Sequence, residues 1–144
     1  MREIKTRTTI DASPDEVWKV LTDLELYKDW NPFITEATGD AVEGERLKLK
    51  MSPPDGRSMS FRPTVLKADP GREFRWLGHL GVRGIFDGEH YFQLRELDNG
   101  GTELLQGEKF TGIAVGLLGG ALKNTERGFE LLNEALRKQC EKTK

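Results

Sequence analysis

His90 and Glu108 are the residues of this 144-residue chain best suited to chemistry. Each falls on the apolar side of an alternating run, FDGEHYFQL for the histidine and TELLQGEKF for the glutamate. Their relation depends on the hairpin between the two runs. A three-residue loop, Asp98-Asn99-Gly100, ending in a left-handed glycine pairs Leu97 with Gly101 and sets His90 opposite Glu108. A two-residue Asn99-Gly100 turn instead sets Tyr91 opposite Glu108 and sends the carboxylate outward. The first register is preferred because it keeps Leu104 and Phe110 inside with Phe92 and Leu94. Directly opposed residues have Cβ atoms about 5 Å apart, close enough for an imidazole–carboxylate hydrogen bond. Such a pair orients a ligand carbonyl or hydroxyl, or serves as acid and base. The plain alternative is a buried polar pair that satisfies itself and does nothing else.

Other chemistries have little support. Cys140 is the only cysteine and there are two histidines, which excludes an internal disulfide and a cysteine-based zinc cluster. No metal and no cofactor are expected. Cys140 lies near the end of the last helical pattern, where a small buried hydrophobe is the simplest reading. Net charge is −2 and the calculated pI about 5.8, with both signs interleaved and no basic block, so no nucleic acid or anionic membrane partner is expected. No apolar run reaches the ~18 residues of a membrane span, so no membrane insertion is expected. The N-terminus MREIKTRTTI lacks an apolar signal core, and a cytoplasmic location follows as the expectation.

The elements that must position the pair form a simple series. Residues 2–10 alternate, with Ile4, Thr6, Thr8 and Ile10 on one side, as a half-buried strand. Ser13, Pro14 and Glu16 spell a capping box before an amphipathic helix presenting Val17, Trp18, Leu21 and Leu24. A second short helix follows and is stopped by Asn31-Pro32. Strands are expected near 33–39, 45–52, 57–68, 72–80, 85–97 and 102–112, separated by Gly, Pro-Gly and Asp-Asn-Gly-Gly signals. Short connections favour antiparallel neighbours and a meander. Residues 116–141 then read as one long helix carrying Leu118, Leu122, Thr125, Phe129, Leu132, Leu136 and Cys140, with Gly119-Gly120 weakening its first turn.

The expected fold class is therefore α+β. A curved antiparallel sheet of six to seven strands wraps a long C-terminal helix, with two short helices between strands 1 and 2. One domain is expected over residues 1–144. One helix cannot fill a curved sheet, so a cavity is expected between them, closed at one end by the short helices. Period-two counting turns Leu49, Phe61, Trp76, Phe86, His90, Phe92, Glu108 and Phe110 inward. With Trp30 and Phe33 from the short-helix segment and Leu118, Leu122 and Phe129 from the long helix, these are the candidate ligand-binding residues. His79 and Asp87 are assigned to the outer face. Singly, each aromatic is more simply ordinary core.

The ordered segments IDASPDEVWKVLTD, LYKDWNPF, PGREFRWLG, FDGEHYF and GGTELLQGEKFTG resemble the START-related polyketide cyclase/dehydrase superfamily, from about Thr9 to Leu136. The resemblance implies the helix-grip fold shared with the major birch pollen allergen, and a deep cavity for lipids, polyketides, sterols or other hydrophobic molecules. By position, Trp30, Pro32 and Phe33 match the W-N-P-F segment, Trp76 the strand after P-G-R-E, His90 and Phe92 the H-x-F, and Glu108 and Phe110 the E-x-F. Cyclase members carry several polar acid–base residues in the cavity, and here only His90, Glu108 and Gln106 are available. Two functions are thus expected in order: a binding protein for a small hydrophobic molecule, monomer or homodimer, and a cyclase, aromatase or dehydratase using Glu108 and His90. Protein interaction ranks last, for want of an apolar patch or basic stripe.

Overall fold

The computed structural model describes residues 1–79, 84–113, 115 and 121–142. In chain order the elements are β1 (Arg2–Ile10), α1 (Pro14–Thr22), a 3-10 turn (Leu24–Leu26), α2 (Tyr27–Trp30), β2 (Ile34–Thr38), β3 (Lys48–Met51), β4 (Met59–Phe61), β5 (Thr64–Asp69), β6 (Glu73–His79), β7 (Asp87–Glu96), β8 (Thr102–Thr111) and α3 (Ala121–Glu141). All strand pairs are antiparallel, in a five-stranded sheet of order β1-β8-β7-β6-β5 and a three-stranded sheet of order β2-β3-β4.

Among the described residues there are eight strands, one more than the upper expectation, because the run 57–68 is two strands. Pro63 has no N–H to give a ladder, so β4 ends at Phe61 and β5 begins at Thr64. The chain changes partner there. Leu47 N–H donates to Pro63 O, and Val65 N–H donates to Glu45 O, stitching the two sheets together.

Local chemistry fixes the ends of the other elements. The Ser13 hydroxyl accepts from Glu16 N–H at 3.2 Å, and Ser13 N–H donates to the Glu16 carboxylate at 3.1 Å. Val17, Leu21 and Leu24 are buried on the inner face of this segment, with Trp18 set edge-on to Phe74. The Asn31 side-chain oxygen accepts from Phe33 and Ile34 N–H, which turns the chain into β2. Helix α3 lies against β1 and β8 and reaches α1, burying Gly128, Phe129, Leu132, Asn133, Leu136 and Cys140. Leu118 and Gly119-Gly120, singled out from sequence, lie outside the described residues.

Candidate ligand-binding site

The hairpin between β7 and β8 takes the three-residue form. Leu97 N–H donates to Gly101 O, Gly100 N–H donates to Leu97 O, and Gly100 has φ +86°, the left-handed turn position. His90 and Glu108 are consequently direct partners across β7 and β8. The ladder gives three inward rows across the large sheet. They are Phe74, Phe92, Gln106 and Thr6; then Trp76, His90, Glu108 and Ile4; then Gly78, Gly88 and Phe110.

The third row explains where space appears. Opposed glycines at 78 and 88 leave two adjacent strands without inward side chains, and a cavity of about 330 Å³ opens beside them. Its wall combines Phe33, Met51, Phe61 and Pro63 with Trp76, Phe86 and Phe110, and Ala121, Asn124 and Thr125 of α3 complete it. The carboxylates of Glu108 and Asp87 border it, as do Arg57 and His79. His79 and Asp87, assigned outward from their parity, sit at the strand ends and hold each other at 2.6 Å. The Asn124 side-chain amide donates to Pro54 O, and Arg127 pairs with Asp55 at 3.2 Å, so the β3–β4 hairpin is clasped to α3 beside the cavity.

Among the residues singled out from sequence, Phe33, Phe61, Trp76, Phe86, Glu108 and Phe110 border this space. Trp30, Leu49, His90, Phe92, Leu122 and Phe129 do not. Trp30 packs edge-on to Tyr27 at 5.2 Å, and Leu49 is buried in the three-stranded sheet. Leu122 is half-buried against the core. Phe92 and Phe129 fill the other half of the helix–sheet interface in an aromatic cluster with Phe74 and Trp76. His90 stands one layer behind the cavity wall, fully buried, stacked on Trp76 at 4.8 Å and met edge-on by Phe129 at 4.8 Å.

The polar groups here form one connected chain. Glu108 Oε1 lies 3.1 Å from His90 Nδ1, and His90 Nε2 lies 2.9 Å from Gln106 Oε1. The Gln106 amide N donates to Phe129 O at 3.1 Å and to Asn133 Oδ1 at 2.7 Å. Asn133 Nδ2 donates to the Thr6 hydroxyl at 2.8 Å, which itself donates to Gln106 O at 2.8 Å. Sequence reasoning missed Asn133, although a polar residue four positions after Phe129 on an otherwise apolar stripe signals a buried partner. Gly88 shares the inward parity of His90, but its role was not read from sequence. A Cβ there would overlap Glu108 Oε2, so the glycine makes room for the carboxylate on the cavity floor. Among the described residues no cluster of three histidine, cysteine or acidic side chains is arranged to hold a metal ion.

A sheet gripping one long helix, with short helices at one end and a cavity between, is the helix-grip architecture of START-like proteins. The chain belongs to the family described as polyketide cyclase / dehydrase and lipid transport, whose model matches residues 1–141. Solved structures agree on the fold. An aromatase/cyclase, ZhuI, from Streptomyces sp. R1128 superposes with a TM-score of 0.78 at 20% identity, covering 97% of this chain and 93% of that one. A START superfamily protein from Mycobacterium smegmatis gives 0.75 at 20% identity with 99% of both chains covered. Ara h 8.0201 gives 0.73 at 16% identity with 98% of both covered. No curated protein matches the sequence. No described helix is long and apolar enough to cross a membrane.

Proposed function

We propose that the protein binds a small, largely apolar molecule in the cavity between its sheets and α3, acting in the cytoplasm as a monomer or homodimer over a single domain. The observation that carries this reading is the 330 Å³ space walled by Phe33, Phe61, Trp76, Phe86 and Phe110, with few polar groups among which is the Glu108 carboxylate. That volume lies at the small end of the range for ligand pockets, and the mix of apolar wall and sparse polar groups is what such pockets share. Phe129, edge-on to Phe33, and Phe92, tilted against Trp76, support the wall from behind. Native mass spectrometry of protein taken from cells, together with displacement of a fluorescent fatty acid, tests the proposal. A retained or displaceable ligand of low polarity is expected; failure of both would overturn it.

A second reading is enzymatic, a cyclase, aromatase or dehydratase in which Glu108 exchanges a proton with the substrate and His90 orients it. The 3.1 Å Glu108–His90 contact, with Glu108 reaching the cavity and His90 held behind it, favours this reading over other chemistries. A positioned acid–base group contributes roughly 10²–10⁴-fold. Turnover of a β-keto aromatic precursor should therefore fall by that factor in Glu108→Gln while binding persists. Unchanged turnover would remove Glu108 from the mechanism.

A further inference from the structure

The hydrogen-bond directions around Glu108 decide which ligand groups it recognises, given the binding reading above. Two backbone carbonyls anchor the chain of side chains, and a carbonyl can only accept. Phe129 O accepts from Gln106, so the nitrogen of that amide faces α3 and its oxygen faces His90. Independently, Gln106 O accepts from the Thr6 hydroxyl, so Thr6 must accept from Asn133, and Asn133 must turn its oxygen to the Gln106 amide nitrogen. Both anchors give the same result. His90 Nε2 carries a hydrogen and donates it to Gln106 Oε1.

The remaining contact, Nδ1 to Glu108 Oε1 at 3.1 Å, then needs one hydrogen between its atoms. With none, two lone pairs would face each other. Adding a further proton to the carboxyl would leave an imidazolium, 0% exposed, without a counter-charge among aromatic rings. The pair therefore holds one shared proton and is neutral overall, as imidazolium–carboxylate or as imidazole–carboxylic acid. In either form the hydrogen sits on the Oε1 side. Oε2 is an acceptor in both, as a carboxylate oxygen or as the C=O of the acid. Among the described residues it has no hydrogen-bond partner, and it lies over Gly88 on the cavity floor.

We infer that Glu108 Oε2 is a fixed hydrogen-bond acceptor, so that the cavity selects a neutral apolar ligand whose buried end carries a hydroxyl, as a phenol, alcohol or enol. A ketone, ether or carboxylate at that end would set acceptor against acceptor. An ammonium would have to give up its hydration against a mostly apolar wall, with Asp87 already engaged by His79. Gln106, Asn133 and Thr6 are positioning residues that fix this polarity from behind.

The test compares naphthalene, 1-methoxynaphthalene and 1-naphthol by calorimetry at pH 7. Naphthol is expected to bind roughly threefold to a hundredfold more tightly than its methyl ether, the span from a hydrogen bond to a neutral acid C=O to one to a carboxylate oxygen. The preference should vanish in Glu108→Leu. It should survive in Glu108→Gln, whose amide nitrogen can donate to Nδ1 while its oxygen faces the cavity. Imidazole ¹⁵N shifts should show His90 Nε2 protonated. Equal binding of naphthol and ether, a preference that persists in Glu108→Leu, or an unprotonated Nε2 would overturn the inference while leaving hydrophobic binding intact. If none of the three probes binds, the binding reading fails and the inference falls with it.

Discussion

Gly88→Ala probes the one place where the backbone makes way for the candidate polar group. A Cβ at residue 88 would overlap Glu108 Oε2 and stand 3.2 Å from Cδ. The carboxylate would have to withdraw by roughly 1 Å or more to restore ordinary contact distances. Its Oε1 is already 3.1 Å from His90 Nδ1, so that withdrawal breaks the hydrogen bond and leaves a fully buried imidazole nitrogen unpaired. Losing a bond of this charge-assisted kind costs about 1.5–3 kcal/mol. Replacing glycine by alanine at a compatible backbone position returns about 0.4–1 kcal/mol through the unfolded chain. Residue 88 has no positive φ, so that gain applies. The net expectation is a loss of about 1–2 kcal/mol, read as a lower urea midpoint at unchanged slope. The same substitution in a Glu108→Ala background meets no carboxylate, and its sign should reverse to a gain of about 0.4–1 kcal/mol. Equal destabilisation in both backgrounds, or a gain in the wild-type background, would refute the argument that Gly88 exists to seat Glu108.

Two titrating groups away from the cavity give further tests. Burial, reinforced by Glu16 and Glu141, pushes the Cys140 thiol from 9.0 up to about 12. Labelling with a thiol reagent at pH 8 should therefore run roughly a thousandfold slower in the folded protein than in denaturant, and a native rate near the unfolded one would contradict its burial. For Glu73, burial raises the pKa, but hydrogen bonding and charge from Arg75 more than offset this and hold it below its ordinary 4.5. Between the folded and unfolded values the unfolded chain binds more protons, so this stabilisation is fully present above pH 4.5 and is lost as pH falls through the folded value. Glu73→Gln should cost about 0.5–1 kcal/mol at pH 7 by urea denaturation, with the gap closing in acid. A gap independent of pH would exclude the ion pair as its source.

Side-chain parity was legible because the strands alternate cleanly, and parity put His90 and Glu108 on one face once the hairpin length was chosen. The choice itself rested on packing: only the three-residue loop kept Leu104 and Phe110 inside. What parity could not say was which half of the inner face stays empty. His90, Phe92 and Gly88 share one face of β7, yet Phe92 is buried among Phe74, Trp76 and His90 while Gly88 borders the cavity. The difference comes from where α3 sits, a tertiary quantity. The two opposed glycines were the local signal that space would open at their row. Pro63 likewise marked the break between sheets, but a run that alternates on both sides of a proline reads as one strand until its partners are known. Tyr91, on the face opposite His90, is nonetheless 2% exposed because it lies across Gly107 beneath the Arg75 guanidinium.

The polar chain makes the helix seat and the cavity floor one structure. Phe129 and Asn133 lie one turn apart on α3, and both hold the same Gln106 amide. That amide fixes the His90 ring, and the ring fixes which oxygen of Glu108 is left to face the cavity. Cutting one link by substitution would strand the next buried donor or acceptor, and each stranded group costs about 1–3 kcal/mol. A ligand that pushed α3 outward would thus have to break this chain, whereas one that enters beside Gly78 and Gly88 leaves it intact. The hydrogen bonds therefore favour a binding mode in which the helix stays seated on the sheet.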